Sequence, residues 1–208
     1  MDTLKFCSLP EEELKSVLRS RMNEHRYAHS LNVAERAVFL AKKYGADPEK
    51  AEFAGLIHDI CKGIPNEEQL AIIQNAGIEL DEDTLKSPAL WHSVAGAVYS
   101  EHEIGVTDKD VLNAVRYHTT GKADMSIMEK IIYLADYIDM SRTFEDCVAL
   151  RNFFFDFDFD NASEKEKLEH LNDTLIMSYD LTIRGLLEDG KHINDTTFEA
   201  RNFLILEK

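Results

Sequence analysis

The sequence predicts an all-α protein. Apolar residues recur at helical spacing along most of the chain, helix-opening and helix-closing residues bound those segments, and no alternating strand set is found. Ser8-Leu9-Pro10-Glu11 opens the first helix, with Ser8 as capping candidate, an early proline and an acidic first turn; it runs to about Met22. The second covers about Arg26 to Tyr44. His29, Val33, Ala37, Leu40 and Tyr44 fall along one face, and Gly45 ends it. Asp47-Pro48 starts a third helix that reaches His58-Asp59. Further helices are expected over Asn66–Asn75, Leu90–His102, Asp108–His118, Ser126–Asp139 and Glu164–Leu187, with a last one from about Thr196.

Composition places the chain among ordinary globular proteins. Its 208 residues are 44% apolar and 30% charged, and four prolines and nine glycines leave little room for a flexible linker. One domain over 1–208 is the expectation. The formal charge of −16 excludes non-specific nucleic-acid binding, which needs a basic surface to displace counterions. No stretch approaches the ~20 apolar residues of a membrane span. Met1 to Lys15 lacks the basic and apolar regions of a signal peptide, so a cytoplasmic setting is expected. Cys7, Cys61 and Cys147 are few, odd in number and far apart, which suggests reduced thiols rather than disulfides or a thiolate zinc site.

The chemistry-bearing residues are polar groups set in apolar runs. His58-Asp59 sits in Gly55-Leu56-Ile57-His58-Asp59-Ile60-Cys61, where two adjacent polar side chains would be costly to bury without partners. His29 lies on the apolar stripe of its helix, and His118 continues the face of Val111 and Val115. Asp136 interrupts Ile131-Ile132-Tyr133-Leu134-Ala135, and His92 follows Leu90-Trp91. Any one of them alone reads as a satisfied core residue. Together, four His and two Asp exceed the ligand count of one tetrahedral ion and suit two ions sharing a carboxylate. Imidazole and carboxylate donors without thiolates suit Fe, Mn, Co or Zn. His25, four residues before His29, reads as exposed or capping. His102, His170 and His192 lie in polar surroundings and are expected at the surface.

A polyphosphate substrate would need local cations in so acidic a protein. Lys62 after the dyad, Lys122 after His118-Thr119-Thr120-Gly121, and Arg142 after the Asp136 helix are best placed, with Arg26 a further candidate. Thr119 and Thr120 offer hydroxyls, and Gly121 would permit close backbone approach.

His29, His58-Asp59 and Asp136 resemble the H…HD…D signature of the HD-domain metal-dependent phosphohydrolases. Arg26-Tyr27-Ala28-His29-Ser30-Leu31, Leu90-Trp91-His92, Arg116-Tyr117-His118-Thr119-Thr120-Gly121 and Glu129-Lys130-Ile131-Ile132-Tyr133-Leu134-Ala135-Asp136 are more specific. They resemble the YqeK-type symmetrical bis(5'-nucleosyl)-tetraphosphatases, strongly over 26–151 and more loosely towards the C-terminus.

The resemblance implies an HD helical bundle with a metal-binding core over about 26–151 and C-terminal helices over about 164–206. It implies two metal ions, generally iron. His29, His58, Asp59 and Asp136 would hold one, and Asp59 would bridge to a second completed by His92 and His118. The implied reaction is attack of a bridging hydroxide on an inner phosphorus of diadenosine tetraphosphate (Ap4A), releasing two ADP, with His58, Asp59 and Lys62 as the catalytic group. Another HD-type hydrolase of nucleoside polyphosphates or alarmones is the alternative, and a non-catalytic nucleotide-sensing module is a third. A homodimer is left open. Two departures from the pattern are Cys61, where a small alanine is more usual, and the Phe153–Asp160 run. In that run Asp156, Asp158 and Asp160 imitate an EF-hand start, but Asn161 replaces its turn glycine and Lys167 its glutamate. Packed phenylalanines with solvated aspartates are expected there.

Overall fold

The computed structural model describes residues 5–207. Among the described residues there are helices and turns and no strand. In chain order the helices are α1 (Glu11–Arg21), α2 (Glu24–Tyr44), α3 (Pro48–Ile57), α4 (Asn66–Asn75), α5 (Glu82–Leu85), α6 (Trp91–His102), α7 (Lys109–Tyr117), α8 (Ile127–Tyr137), α9 (Glu145–Phe155), α10 (Glu164–Glu188) and α11 (Asp195–Leu206). A 3-10 turn at Pro88–Leu90 leads into α6.

Local chemistry explains most boundaries. Asn23 caps α2 by accepting from the Arg26 N–H, and Gly45 closes it in the left-handed region. Asp47 caps α3 with Pro48 in its first turn, Asp108 caps α7, and Ser126 with Glu129 forms a capping box on α8. Ser8 departs from expectation. It is not a cap: its N–H and hydroxyl both bond the Ile104 carbonyl, and Pro10 stands at the N-cap of α1 without a side-chain hydrogen bond.

The helix α9 was not legible in the sequence. It has no side-chain cap, and its Phe153-Phe154-Phe155 end shows no helical spacing of apolar residues. Asp156, Asp158 and Asp160 are exposed, as expected of that run, but of the three phenylalanines at the helix end only Phe154 is buried, while Phe153 and Phe155 remain exposed. The surface placement expected of His170 is overturned. It is buried, stacked on Phe157 at 4.2 Å between ring centroids, and bonded through Nε2 to the Phe154 carbonyl. His170 has polar neighbours in sequence, but its partners come from the preceding helix and loop.

The core that positions the site is the packing of α2 on α3, with α8 and α7 closing around them. Val33, Ala37 and Leu40 of α2 and Ile57 of α3 are fully buried, as are Ile131 and Ile132 of α8. Gly55 sets the α2–α3 distance. A Cβ there would stand 2.8 Å from the Ala34 Cα and 3.0 Å from its backbone nitrogen.

Candidate metal centre

Six residues far apart in sequence meet where three helices end. His58 and Asp59 lie in the turn just after α3, His118 just after α7, and Asp136 in the last turn of α8. His29 comes from within α2 and His92 from the first turn of α6. His29, His58, Asp59, His92 and His118 are all buried; the Asp136 side chain keeps 17% exposure at the cavity wall.

The backbone sets the orientation of three rings. Nδ1 of His58 lies 2.7 Å from the Gly55 carbonyl, Nδ1 of His92 lies 2.8 Å from that of Ala89, and Nδ1 of His118 lies 2.7 Å from that of Val115. A carbonyl only accepts, so each Nδ1 carries a proton and each ring turns its Nε2 inward. His29 follows the same logic, with Nδ1 donating to Asp139 Oδ2 at 2.9 Å.

Those inward nitrogens surround carboxylates. The Nε2 atoms of His92 and His118 lie 3.5 and 3.4 Å from Asp59 Oδ1, and that of His58 lies 3.5 Å from Asp59 Oδ2 and 3.8 Å from Asp136 Oδ1. His29 Nε2 is 2.9 Å from Asp136 Oδ1, and His58 Nε2 has no hydrogen-bond partner. His92 Nε2 and His118 Nε2 face each other at 3.2 Å. Lone pairs aimed at carboxylate oxygens and at one another are repulsive unless cations lie between them. The donor set therefore fits metal ions. Donor atoms of His29, His58 and Asp59, of His58, His118 and Asp136, and of Asp59, His92 and His118 each fall within 4.8 Å of one another, so the three groups overlap in one cluster with Asp59 common to the first and last.

Protonation follows the same division. Burial, reinforced by His118 and Lys62, holds His92 well below the usual histidine range. Burial also pushes His29 down, but Asp136 and Asp139 outweigh it and raise the ring to about 9. A cation at that position would displace this proton. Burial raises Asp59 while His58 and His118 lower it further, so its carboxyl ends well below the usual range. Asp136 goes the same way: His29 and Arg142 overcome its burial.

Three cations border the ring. Arg26 Nη1 donates to Asp59 Oδ2 at 2.6 Å, Arg142 Nη2 donates to Asp136 Oδ1, and Lys62 Nζ lies 3.2 Å from His92 Nδ1 and 3.4 Å from the Ala89 carbonyl. They line one cavity of about 320 Å³ together with Thr119, whose hydroxyl is 3.2 Å from His92 Nε2. Tyr133, Tyr137 and Thr182 complete its wall.

Three expected substrate residues fall outside this cavity. Thr120 and Lys122 line a neighbouring one. Gly121 is buried with φ +63°, and a Cβ there would collide with the Tyr179 hydroxyl, so it serves the turn and its packing. Reasoning from the sequence missed Asp139, which is buried and orients His29. The available signal was its place one helical turn after Asp136.

The HD domain family model matches residues 26–141, more than half of the chain and all six His and Asp residues of the ring. The chain belongs to the HD domain family. Relatives share more than the core of this HD protein. It is 36% identical over 199 residues to "Bis(5'-nucleosyl)-tetraphosphatase, symmetrical" of Bacillus subtilis, covering 93% of this chain and 97% of the relative. A protein of the same description from Staphylococcus aureus is 41% identical over 133 residues, 64% of this chain and 68% of that one. A crystal structure of a predicted HD superfamily hydrolase involved in NAD metabolism from Clostridium acetobutylicum superposes with a TM-score of 0.86 at 40% identity. That match covers 96% of this chain and 99% of the other.

Proposed function

We propose that this HD protein hydrolyses diadenosine tetraphosphate symmetrically to two ADP. The observation that carries the reading is the ring of inward Nε2 atoms around Asp59 and Asp136, bordered by Arg26, Lys62 and Arg142. The full-length likeness to a protein named for that reaction supports the substrate.

His29, His58, Asp59 and Asp136 would hold one metal ion, and Asp59, His92 and His118 the second. The partition of Asp59, with Oδ2 towards His58 and Oδ1 towards His92 and His118, supports the bridging role. Metal ions bound there would lower the pKa of water and neutralise charge developing on the phosphoryl oxygens. The four His and two Asp, with no thiolate, suit iron, which is our reading of the metal.

The chain's own residues do the rest. Arg142 and Arg26 hold the carboxylates in place and present the remaining guanidinium N–H groups to phosphate oxygens. Lys62 lies below the usual lysine range through burial and the nearby Arg26 and Arg142, the attraction of Asp59 and Asp136 notwithstanding. Its ammonium can give a proton to the oxygen that leaves with ADP. Thr119, beside His92, offers its hydroxyl to the same substrate. We place the protein in the cytoplasm, which the free thiols Cys61 and Cys147 support. No helix among the described residues is long and apolar enough to cross a membrane.

The test is product analysis on metal-loaded protein offered Ap4A, nucleoside polyphosphates and alarmones, with elemental analysis of the bound metal. Two ADP per Ap4A is the expected outcome. ATP plus AMP would overturn symmetrical cleavage, and turnover of an alarmone alone would select the other HD chemistry.

A further inference from the structure

Two cavities share one turn. In the run Arg116 to Lys122, His118 and Thr119 face the metal centre, while Arg116, Tyr117, Thr120 and Lys122 line a second cavity of about 260 Å³. The start of α6 is divided in the same way: His92 belongs to the first cavity and Leu90, Ser93 and Val94 to the second. Asn194 at the head of α11 closes the far wall.

The second cavity holds an aromatic ring and two cations, Arg116 and Lys122, together with two carboxylates, Glu79 and Asp81, the latter engaged in capping α5 through Thr84. Tyr117 supplies an aromatic ring, with the Arg116 guanidinium carbon 5.8 Å and the Lys122 ammonium 5.6 Å from its centroid. Among the described residues Arg116 has no carboxylate and no hydrogen-bond partner. Its guanidinium leans only on the Tyr117 ring, in a chain with 39 acidic residues against 23 basic ones. It is free to meet an anion. Lys122 is held beside it through the Asp124 carbonyl at 3.0 Å and Glu129 at 3.4 Å.

Symmetrical cleavage leaves one nucleoside diphosphate on each side of the cut, so a dinucleoside tetraphosphate needs two nucleoside subsites. The metal-centre cavity, at about 320 Å³, lies at the small end of the range for a single drug-sized ligand. We propose that the second cavity is the subsite for one nucleoside end of the dinucleotide, with its base against Tyr117 and its phosphates passing Thr120, Lys122 and Arg116. This proposal rests on the Ap4A reading above. It makes the turn around His118 a bridge between chemistry and substrate length.

Kinetics of Tyr117→Ala, Tyr117→Phe and Arg116→Gln on Ap4A and on adenosine 5′-tetraphosphate test it. The latter has one nucleoside, which can seat in the intact subsite. Tyr117→Ala should raise KM for Ap4A about tenfold, the scale of one lost stacked base, with kcat within about twofold. Tyr117→Phe keeps the ring and should restore KM. Arg116→Gln should raise KM several-fold with little change in melting, because the side chain has no ion pair or hydrogen bond to lose. With adenosine 5′-tetraphosphate, as substrate or as competitive inhibitor, all three variants should stay within about twofold of the parent. Unchanged Ap4A kinetics in Tyr117→Ala and Arg116→Gln, or equal losses on both nucleotides, would overturn the subsite while leaving the Ap4A reaction standing. A parent protein that cleaves no Ap4A would overturn both.

Discussion

Asp59 divides its two oxygens between two groups of histidines, and that division is the smallest unit of the site. Each imidazole is oriented by an acceptor behind it, three times a backbone carbonyl and once Asp139. Asp139 is therefore a positioning residue for His29. Asp139→Asn should weaken metal affinity about 10- to 100-fold, measured by competition with a chelating dye, while the helical fold persists. Unchanged affinity would mean that α2 alone orients His29. At this scale much of the site was legible, because His58-Asp59, His118 and Asp136 interrupt apolar runs where unpaired polar groups are costly. Asp139 was not, since it stands just past a helix end, where a polar residue is ordinary, and its role depends on a partner 110 positions away.

Helices α2 and α3 hold their ligands at fixed spacing because Gly55 lets their backbones touch. Gly55→Ala would drive a methyl into the Ala34 backbone, which no side-chain rotation can relieve. It should cost about 1–3 kcal/mol in chemical denaturation and reduce bound metal, because His29 and His58 move apart together with their helices. The helix α7 carries His118 and depends on its cap, Asp108, which accepts from the Asp110 and Val111 N–H groups and pairs with Lys50 at 2.8 Å. Burial raises the Asp108 carboxyl, but Lys50 and those N–H groups lower it more. Its folded pKa is depressed, so its stabilisation is present above the unfolded value and is lost as pH falls through the folded one. Asp108→Ala should cost about 1 kcal/mol near pH 7. Below about pH 4 the gap to the parent protein should narrow, as thermal melts at stepped pH would show. Caps marked α2, α3, α7, α8 and α10, whereas α1, α4 and α6 were legible from their apolar spacing without a side-chain cap. The uncapped α9, ending in three consecutive phenylalanines, was not.

Across the whole molecule, ligands from five helical segments meet at one place, so bound metal ties together parts of the fold that are far apart in sequence. Any ion that binds the folded state alone adds stability by mass action, about 2.7 kcal/mol at 100 times its dissociation constant. For a chain of this length that corresponds to a melting shift of roughly 5–10 °C. Chelation should lower the melting temperature by about that much, and metal should restore it; equal melting of stripped and loaded protein would contradict the assigned ligands. The bundle and the ring were visible from helical spacing and displaced polarity. The neighbouring cavity was not, since Asn194, Tyr117 and Leu90 meet only in three dimensions.

The meeting of three helix ends at the ring has an electrostatic consequence. The carboxyl end of a helix carries about half a negative charge, and α3, α7 and α8 all terminate at the site. Asp59, Asp136 and Asp139 already offset Arg26, Lys62 and Arg142, so these dipoles tip the protein's own field in the cavity towards negative potential, and the proton on His29 offsets only part of it. Such a cavity draws cations and turns polyanions away. Loading is then sequential: Ap4A titrated into chelated protein should show no calorimetric binding, and affinity should emerge as metal is added back.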